Sequence, residues 1–319
     1  MQEIKWGIVG TGNIASSFAT DFKYTSGGSM IAAASRSAEK AKQFCKEYGI
    51  ERPYGSYEAL FRDIDVDAVY IATPHHLHFQ NASDALLAGK AVLCEKPLTV
   101  NARDCQKLMD IAKTSNKYLM EAMWTYFLPP IQKAMQWLEQ GRIGSIKNIK
   151  ADFAFKAPED PHGRLYNPEL AGGALLDIGI YPIALTWLIL KQVPEKMSVF
   201  SRKAQTGVDV EETMIFEYPN GILANLTASF AYRTPAEAVI AGTDGYIKIP
   251  DFFMAKECSL FHDDQLVDKF VDDREAVGYN YEIDAVHQDL MHGKKASSIV
   301  PPDFSLKLQE MMDQVKGRF

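Results

Sequence analysis

Residues 4–15 read Ile-Lys-Trp-Gly-Ile-Val-Gly-Thr-Gly-Asn-Ile-Ala, an apolar strand that runs straight into a glycine turn and then a helix. This is the sequence form of a dinucleotide-binding βα unit. Gly10 permits the tight turn after the strand. Gly12 leaves no Cβ between the backbone and an approaching pyrophosphate, and Ala15 is small enough for the helix to pack on the strand. Phosphates would sit at the N-terminus of the helix beginning near Asn13, where N–H groups and the helix dipole favour anions. Gly10, Thr11, Gly12, Asn13 and Ile14 are therefore the candidate phosphate cradle. On these residues alone, a turn that serves only the fold is the competing explanation.

The rest of the first 122 residues extends the pattern. Strand candidates at Ile4–Val9, Met30–Ser35, Ala68–Ala72, Ala91–Cys94 and Tyr118–Ala122 alternate with helical candidates at Ile14–Tyr24, Ala38–Tyr48, Tyr57–Arg62, Leu77–Ala88 and Ala102–Ser115. Such alternation predicts a doubly wound parallel sheet covered on both faces by helices. Beyond Trp124 the character changes. Leu128-Pro129-Pro130 punctuates the chain, a helix follows at Ile131–Glu139, and strands then dominate. Ser145–Lys156, Ser198–Lys203, Glu212–Tyr218, Gly221–Tyr232, Ala236–Ala241 and Gly245–Ile249 read as neighbouring antiparallel strands, with turn chemistry at Pro219-Asn220-Gly221 and Gly242–Gly245. A helix around Ala174–Leu190 interrupts them, and two more close the chain near Tyr281–Met291 and Phe304–Val315. The expected division is an α/β NAD(P)-binding Rossmann domain over 1–122 and an α+β domain of mainly antiparallel strands over 123–319.

Composition narrows the function classes. The 319 residues are 47% hydrophobic and 24% charged, with a net charge of −7 and no basic run, so nucleic acid and anionic membranes are poor partners. Asp263 to Glu275, acidic with Lys269 and Arg274 interspersed, reads as a solvated hairpin or loop. Cys45, Cys94, Cys105 and Cys258 form no redox-type or metal-type pair, which fits a reduced compartment. The longest apolar stretch, Ile178–Leu190, is interrupted by Gly179 and Pro182 and is too short for a bilayer, and strand begins almost at Met1 with no signal peptide. A cytoplasmic protein is expected.

Three groups of residues carry candidate chemistry. The second strand ends Ala34-Ser35-Arg36-Ser37, without the carboxylate that would hold a ribose 2′-hydroxyl. Arg36 offers a guanidinium, and Ser35 and Ser37 offer hydroxyls, a set suited to a 2′-phosphate; the alternative is an arginine on an exposed loop. After Ala68–Ala72 comes Thr73-Pro74-His75-His76-Leu77-His78. Its histidine spacing is not a usual zinc set, so no metal is expected. Thr73, Pro74 and His78 are candidate contacts beside the nicotinamide ribose instead. Cys94-Glu95-Lys96-Pro97 then follows a strand end, where ligands of a doubly wound sheet bind. Lys96, steered by the following proline, would project into the cofactor crevice with Glu95 beside it. A surface lysine paired with Glu95 is equally compatible with the spacing.

In the second half, Ala171-Gly172-Gly173-Ala174-Leu175-Leu176-Asp177-Ile178-Gly179-Ile180-Tyr181-Pro182 would place Asp177 and Tyr181 four residues apart on one helical face. Pro182 then demands a first-turn position or a kink. Beside a lysine ammonium, Tyr181 would serve as general acid or base; a boundary tyrosine and a capping aspartate are the plainer reading. In 157–168, Arg164 and Tyr166 are pocket candidates without a readable specificity code.

Taken together, the glycine turn at Gly10–Ala15, Thr73-Pro74, Glu95-Lys96-Pro97 and the Gly172–Tyr181 block resemble the glucose-fructose oxidoreductase / inositol dehydrogenase / rhizopine-catabolism (Gfo/Idh/MocA) family across essentially the whole chain. Glu121-Ala122-Met123-Trp124-Thr125 is similar to the branch of dimeric dihydrodiol dehydrogenases and NADP-dependent D-xylose dehydrogenases, which also carries tyrosine where most of the family has histidine at Tyr181. The resemblance implies Lys96 and Tyr181 at the hydride-transfer site, Asp177 supporting them, Trp124 near the nicotinamide, and a homodimer formed through the large, mainly antiparallel sheet of the C-terminal, substrate-binding domain. Where that branch commonly has arginine this chain has Tyr126, which points to an altered substrate or cofactor contact. The expected function is an NADP-preferring oxidoreductase, NAD being possible, on a small sugar, polyol or trans-dihydrodiol. A dinucleotide-binding regulator or sensor without turnover is the rival on the same fold.

Overall fold

The computed structural model describes residues 3–319. Its strands are β1 (Ile4–Val9), β2 (Gly28–Ala34), β3 (Arg52–Tyr54), β4 (Ala68–Ile71), β5 (Ala91–Glu95), β6 (Leu119–Ala122), β7 (Ile146–Ala154), β8 (Lys196–Lys203), β9 (Asp209–Glu217), β10 (Leu223–Ser229), β11 (Ala238–Gly242), β12 (Tyr246–Ile249), β13 (Glu257–His262) and β14 (Gln265–Val271). The α-helices are α1 (Asn13–Phe22), α2 (Ala38–Tyr48), α3 (Tyr57–Phe61), α4 (His78–Leu87), α5 (Ala102–Thr114), α6 (Pro129–Glu139), α7 (Ile180–Leu190), α8 (Tyr279–Met291) and α9 (Pro302–Lys316). They build two compact units.

The first unit runs through Trp124 and includes Glu275–Leu306. Its sheet has the order β3-β2-β1-β4-β5-β6, and all of its strand pairs are parallel. β4 (Ala-Val-Tyr-Ile) and β5 (Ala-Val-Leu-Cys-Glu) are buried residue by residue, as strands covered on both faces must be. The strand order reverses between β1 and β4, which puts the crevice outside their carboxyl ends. β3 was not among the sequence expectations: three residues with Pro53 at the centre carry no alternation to read.

Where the sequence suggests a single break after residue 122, the first unit takes back Glu275–Leu306 from near the chain's end. The reason lies in α8. Trp6 donates its indole N–H to His287 Nε2 at 2.8 Å, and Tyr118 donates to Asp289 Oδ2 at 3.0 Å. The Asp21 carboxylate of α1 accepts the backbone N–H groups of Val277, Gly278 and Tyr279 at 2.7–2.9 Å and so caps α8.

The second unit comprises Thr125–Arg274 and Lys307–Phe319. Its eight strands are ordered β14-β13-β12-β11-β7-β10-β9-β8. One expectation needs correcting here. β10 pairs with β7 in parallel, with Ala224 opposite Ile149, although it is antiparallel to β9. The tight turn at Pro219–Gly221 fixes β10 against β9, and β10 then lies alongside a strand from much earlier in the chain that runs the same way. The acidic stretch forms the β13–β14 hairpin, turning at Asp263 and Asp264, both at positive φ. A second correction concerns length. The stretch Pro168–Leu190 runs 23 residues and its most apolar 18-residue window has mean hydropathy 1.8, long and apolar enough to cross a bilayer by those measures, but 78% of that window is buried inside the protein. That is the burial of a core helix.

Candidate active site

In the first unit the phosphate turn has two different glycines. Gly10 sits at φ +97°, and a Cβ there would lie 2.8 Å from the Ala72 carbonyl oxygen, where the ends of β1 and β4 approach. Gly12 has no such neighbour: a Cβ on it would meet no protein atom within 4 Å. The space over Gly12 is open, as a ligand lying against the backbone requires. The first intrahelical bond of α1 runs from Ser16 N–H to the Gly12 carbonyl at 3.0 Å, so the amides of Asn13, Ile14 and Ala15 precede the helical ladder. Among the described residues, no side chain caps this end and the first turn holds no acid. These groups fit a dinucleotide pyrophosphate.

At the end of β2, Ser35 is buried and its Oγ accepts Ser37 N–H at 3.3 Å. Ser37 is committed as the N-cap of α2, accepting Lys40 N–H at 3.3 Å. Arg36 is exposed, and its guanidinium lies at the hydroxyl of Tyr57, whose pKa is raised by burial and held back by Arg36. Tyr57, the first residue of α3, carried no sequence signal for that place.

After β4, Thr73 Oγ1 accepts from Asn81 Nδ2 at 3.0 Å. His78, expected at the cofactor, is fully buried instead. Its ring nitrogens lie 2.7 Å from the carbonyls of Thr73 and Pro97, so it ties the loops after β4 and β5 together from behind. Burial, with Lys96 nearby, lowers its pKa. Pro74 begins the 3₁₀ turn His75–Leu77. Glu95 is buried, accepting from the Tyr70 hydroxyl at 2.5 Å and from Lys96 N–H at 3.2 Å. Tyr70 in turn stacks on Phe18 of α1 at 3.7 Å. Lys96 precedes a cis peptide bond to Pro97. The segment is then pinned by Glu121, whose Oε1 accepts Leu98 N–H at 2.8 Å. Burial pushes the Glu121 carboxyl up to about 7. Trp124 is 4% exposed and stacks on Tyr279 at 4.7 Å with an interplanar angle of 6°.

In the second unit, the turn Gly172–Gly173 opens a π-helical stretch, Leu175–Gly179, that runs into α7. The Ile180 N–H reaches the Leu175 carbonyl five residues back, and Pro182 falls in the first turn of α7, the position its missing N–H tolerates. Asp177 and Tyr181 lie on this wide turn, both under 10% exposed. Asp177 Oδ1 accepts from Arg164 Nη1 at 2.9 Å. The Tyr181 ring lies against Phe153 and Phe253 at centroid distances of 5.6 and 5.8 Å, and those two rings stack on each other at 3.9 Å. Of the two pocket candidates in 157–168, Arg164 thus meets Asp177, whereas Tyr166 is a core residue near Phe230. Tyr126 is 1% exposed and its hydroxyl donates to the Ala184 carbonyl of α7, so it packs against that helix.

The sequence did not show Asp209, which accepts Leu175 N–H at 2.7 Å and fixes the start of the wide turn. A Cβ on Gly173, at φ +129°, would lie 2.4 Å from Asp209 Oδ1. The readable signal was the Gly-Gly pair; Asp209 itself lies 34 residues beyond Leu175.

Comparisons with known proteins bear on the family and the fold. The oxidoreductase family model with an NAD-binding Rossmann fold matches residues 4–123, and the GFO/IDH/MocA C-terminal domain matches residues 131–248. The chain belongs to the GFO/IDH/MocA family. Trans-1,2-dihydrobenzene-1,2-diol dehydrogenase of Mus musculus is 34% identical over 98% of this chain and 96% of its own length, and that of Homo sapiens is 34% identical over the same shares. A 3-ketoreductase from Actinomadura kijaniata, crystallised with NADP and TDP-benzene, superposes with a TM-score of 0.86 at 26% identity, covering 99% of this chain and 98% of its own. It has also been crystallised as a lysine-to-alanine and as a tyrosine-to-phenylalanine variant. The aldose-aldose oxidoreductase from Caulobacter crescentus shares the fold, with a TM-score of 0.91 at 22% identity over 99% of this chain and 97% of its own.

Proposed function

We propose that this GFO/IDH/MocA chain transfers a hydride between NADP and a carbinol or carbonyl carbon of a small sugar, polyol or trans-dihydrodiol. That it is an oxidoreductase acting on CH–OH groups follows from its family and its dehydrogenase relatives. The observation that carries the reading is the open backbone over Gly12, with unladdered amides at the start of α1 and a guanidinium, not a carboxylate, after β2. Arg36 would meet the 2′-phosphate, and the amides of Asn13 and Ile14 the pyrophosphate. Ser35, Thr73, Pro74 and Glu95 shape the crevice wall, His78 supports it from inside, and Trp124 braces it through Tyr279.

When bound, the nicotinamide supplies the hydride acceptor or donor. The protein's part is to move a proton. In the oxidative direction Tyr181 takes the substrate hydroxyl proton, and Lys96 steers the hydroxyl and favours the phenolate. In the reductive direction Tyr181 returns the proton to the developing alkoxide. Asp177, held by Arg164, supports the pair. The phenylalanines around Tyr181 fix its ring, so little orientation is left to acquire during reaction.

The chain is assigned to the cytoplasm, which its four buried free thiols fit, and to a homodimer formed through the eight-stranded sheet. On the sheet's outer face Phe200, Ile215 and Leu223 are exposed among Ser198, Thr213 and Asn225. A solution mass twice that of the chain would bear this out.

Two measurements test the function. NADPH formation and consumption with pentoses, hexoses, anhydrosugars, dihydrodiols and dicarbonyls should reveal turnover; binding of NADP with no turnover on any of them leaves a sensor. Titration with NADP and NAD should show Arg36→Ala losing about ten- to a hundred-fold in NADP affinity, the worth of one charge-assisted bond, with NAD little changed. Equal losses for both dinucleotides would remove Arg36 from the 2′-phosphate.

A further inference from the structure

A second carboxyl lies beneath the turn that carries Asp177 and Tyr181. Glu212 on β9 is 0% exposed, and neither of its carboxyl oxygens has a well-formed hydrogen-bond partner. It belongs to the inward face of β9, with Val210, Met214 and Phe216. Directly opposite in register are Ala228 on β10 and Ser201 on β8, whose buried Oγ is likewise without a partner. The acid within reach of its carboxyl is Asp209, whose Oδ2 accepts Leu175 N–H at 2.7 Å and whose Oδ1 fills the space that only a glycine at 173 leaves.

The charged groups around Glu212 do not neutralise it. On β8, Arg202 is bound to Glu211 at 2.6 Å, and Lys203, opposite Asp209 in register, is exposed. Glu211 also accepts from Tyr232. β10 carries no ionisable residue. On the π-helical stretch Asp177 is held by Arg164. Among the described residues no ion pair reaches Glu212. A buried carboxylate without a cation beside another carboxylate is costly, and the inexpensive arrangement is a neutral acid donating to its charged neighbour.

We propose that Glu212 is held neutral and donates its O–H to the Asp209 carboxylate, forming a one-proton acid pair that positions the π-helical turn bearing Asp177 and Tyr181. Burial first, and then the Asp209 charge, keep the Glu212 carboxyl well above the ordinary range, in agreement with this arrangement. With the proton present, Asp209 stays fixed between Gly173 and Leu175 N–H. When the proton leaves at alkaline pH, two like charges face each other in a dry site, and the turn loosens. Asp209 and Glu212 are positioning residues; neither is assigned a contact with substrate.

The proposal rests on the reading of Tyr181 and Asp177 as catalytic, so its test has one arm that does not need activity. Wild type, Glu212→Gln and Glu212→Ala are compared for kcat and melting temperature from pH 6 to 9.5. Wild type should lose both together as pH rises. In Glu212→Gln the amide donates to Asp209 without titrating, so most of the neutral-pH kcat remains and the alkaline fall in melting temperature flattens. Glu212→Ala should lose about 10²-fold in kcat through misplacement of the turn, with NADP affinity unchanged. A Glu212→Gln variant with the wild-type pH dependence of melting, or one as damaged as Glu212→Ala, overturns the acid pair. If Tyr181→Phe proves active while melting still flattens in Glu212→Gln, the acid pair stands and the catalytic assignment falls. Should Glu212→Gln not fold, hydrogen exchange at the wild-type Leu175 amide carries the test. Protection that drops with pH more steeply than at other helix amides supports the pair; unchanged protection overturns it.

Discussion

The two units each place a glycine turn ahead of a helical element, for opposite reasons. At Gly12 the protein leaves space: nothing in the chain occupies the position of a Cβ, and the helix amides beyond lie ahead of the first intrahelical bond. At Gly173 the protein fills the space itself, with Asp209 2.4 Å from where a Cβ would stand. The first turn is shaped for a ligand and the second for the protein's own carboxylate. Each unit also pins its candidate chemical group through an acid and a backbone N–H, Glu121 to Leu98 beyond Lys96 and Asp209 to Leu175 ahead of Asp177. A glycine motif thus reports close approach, but not what approaches.

The sharpest way to break this comparison is to remove the groups that the two turns serve. Lys96→Ala and Tyr181→Phe should each lower kcat by about 10²–10⁴-fold while NADP affinity is largely retained. Undiminished turnover in either variant would detach that unit's turn from the chemistry. The next test separates the turns themselves. Gly173→Ala should cost about 2–4 kcal/mol of stability, from strain at positive φ and collision with Asp209. Gly12→Ala should stay within about 0.5 kcal/mol of wild type in stability yet weaken dinucleotide binding roughly ten-fold, a loss of about 1.4 kcal/mol. Equal destabilisation in denaturant titrations would erase the distinction between an open and a filled turn.

A third test concerns the pinning acids. The Glu121 carboxyl is held at about 7 in the folded state against an ordinary 4.5, so between those values the folded chain binds the extra proton. Its contribution to stability is present at low pH and is lost as pH rises through about 7, a loss of about 3 kcal/mol. Glu121→Gln keeps an oxygen for Leu98 N–H and has no proton to lose. Between pH 5 and 8 it should therefore gain on wild type by up to about 3 kcal/mol, read from denaturant midpoints. A constant difference across that range would mean that Glu121 is already charged when folded.

What was legible in the sequence follows from how local its cause is. β1, the glycine turn and α1 are consecutive, so periodicity and turn chemistry mark them directly, and the Rossmann strands emerged within a residue or two apart from β3. The parallel pairing of β7 with β10 depends on which strands meet after long connections, and no local pattern encodes it. The same holds at the site. Lys96, Asp177 and Tyr181 stand in recognisable runs, but Asp209, Glu212 and the Phe153–Phe253 stack are assembled from separate strands and loops. Trp124, Tyr126 and His78 show the converse: conspicuous residues in motif-like positions whose side chains turned out to be buried among neighbours that the sequence does not list beside them.

The return of Glu275–Leu306 to the first unit has a consequence for how the chain comes into being on the ribosome. At about 5–20 residues per second, roughly 10–30 s separate the synthesis of β6 from that of α8. Throughout that interval the nascent parallel sheet has Trp6 without its imidazole acceptor, Tyr118 without Asp289, and Asp21 with no helix to cap. The dinucleotide unit therefore cannot be finished when its own sheet is finished. Its last structural piece is delivered only after all eight strands of the second unit's sheet have been translated.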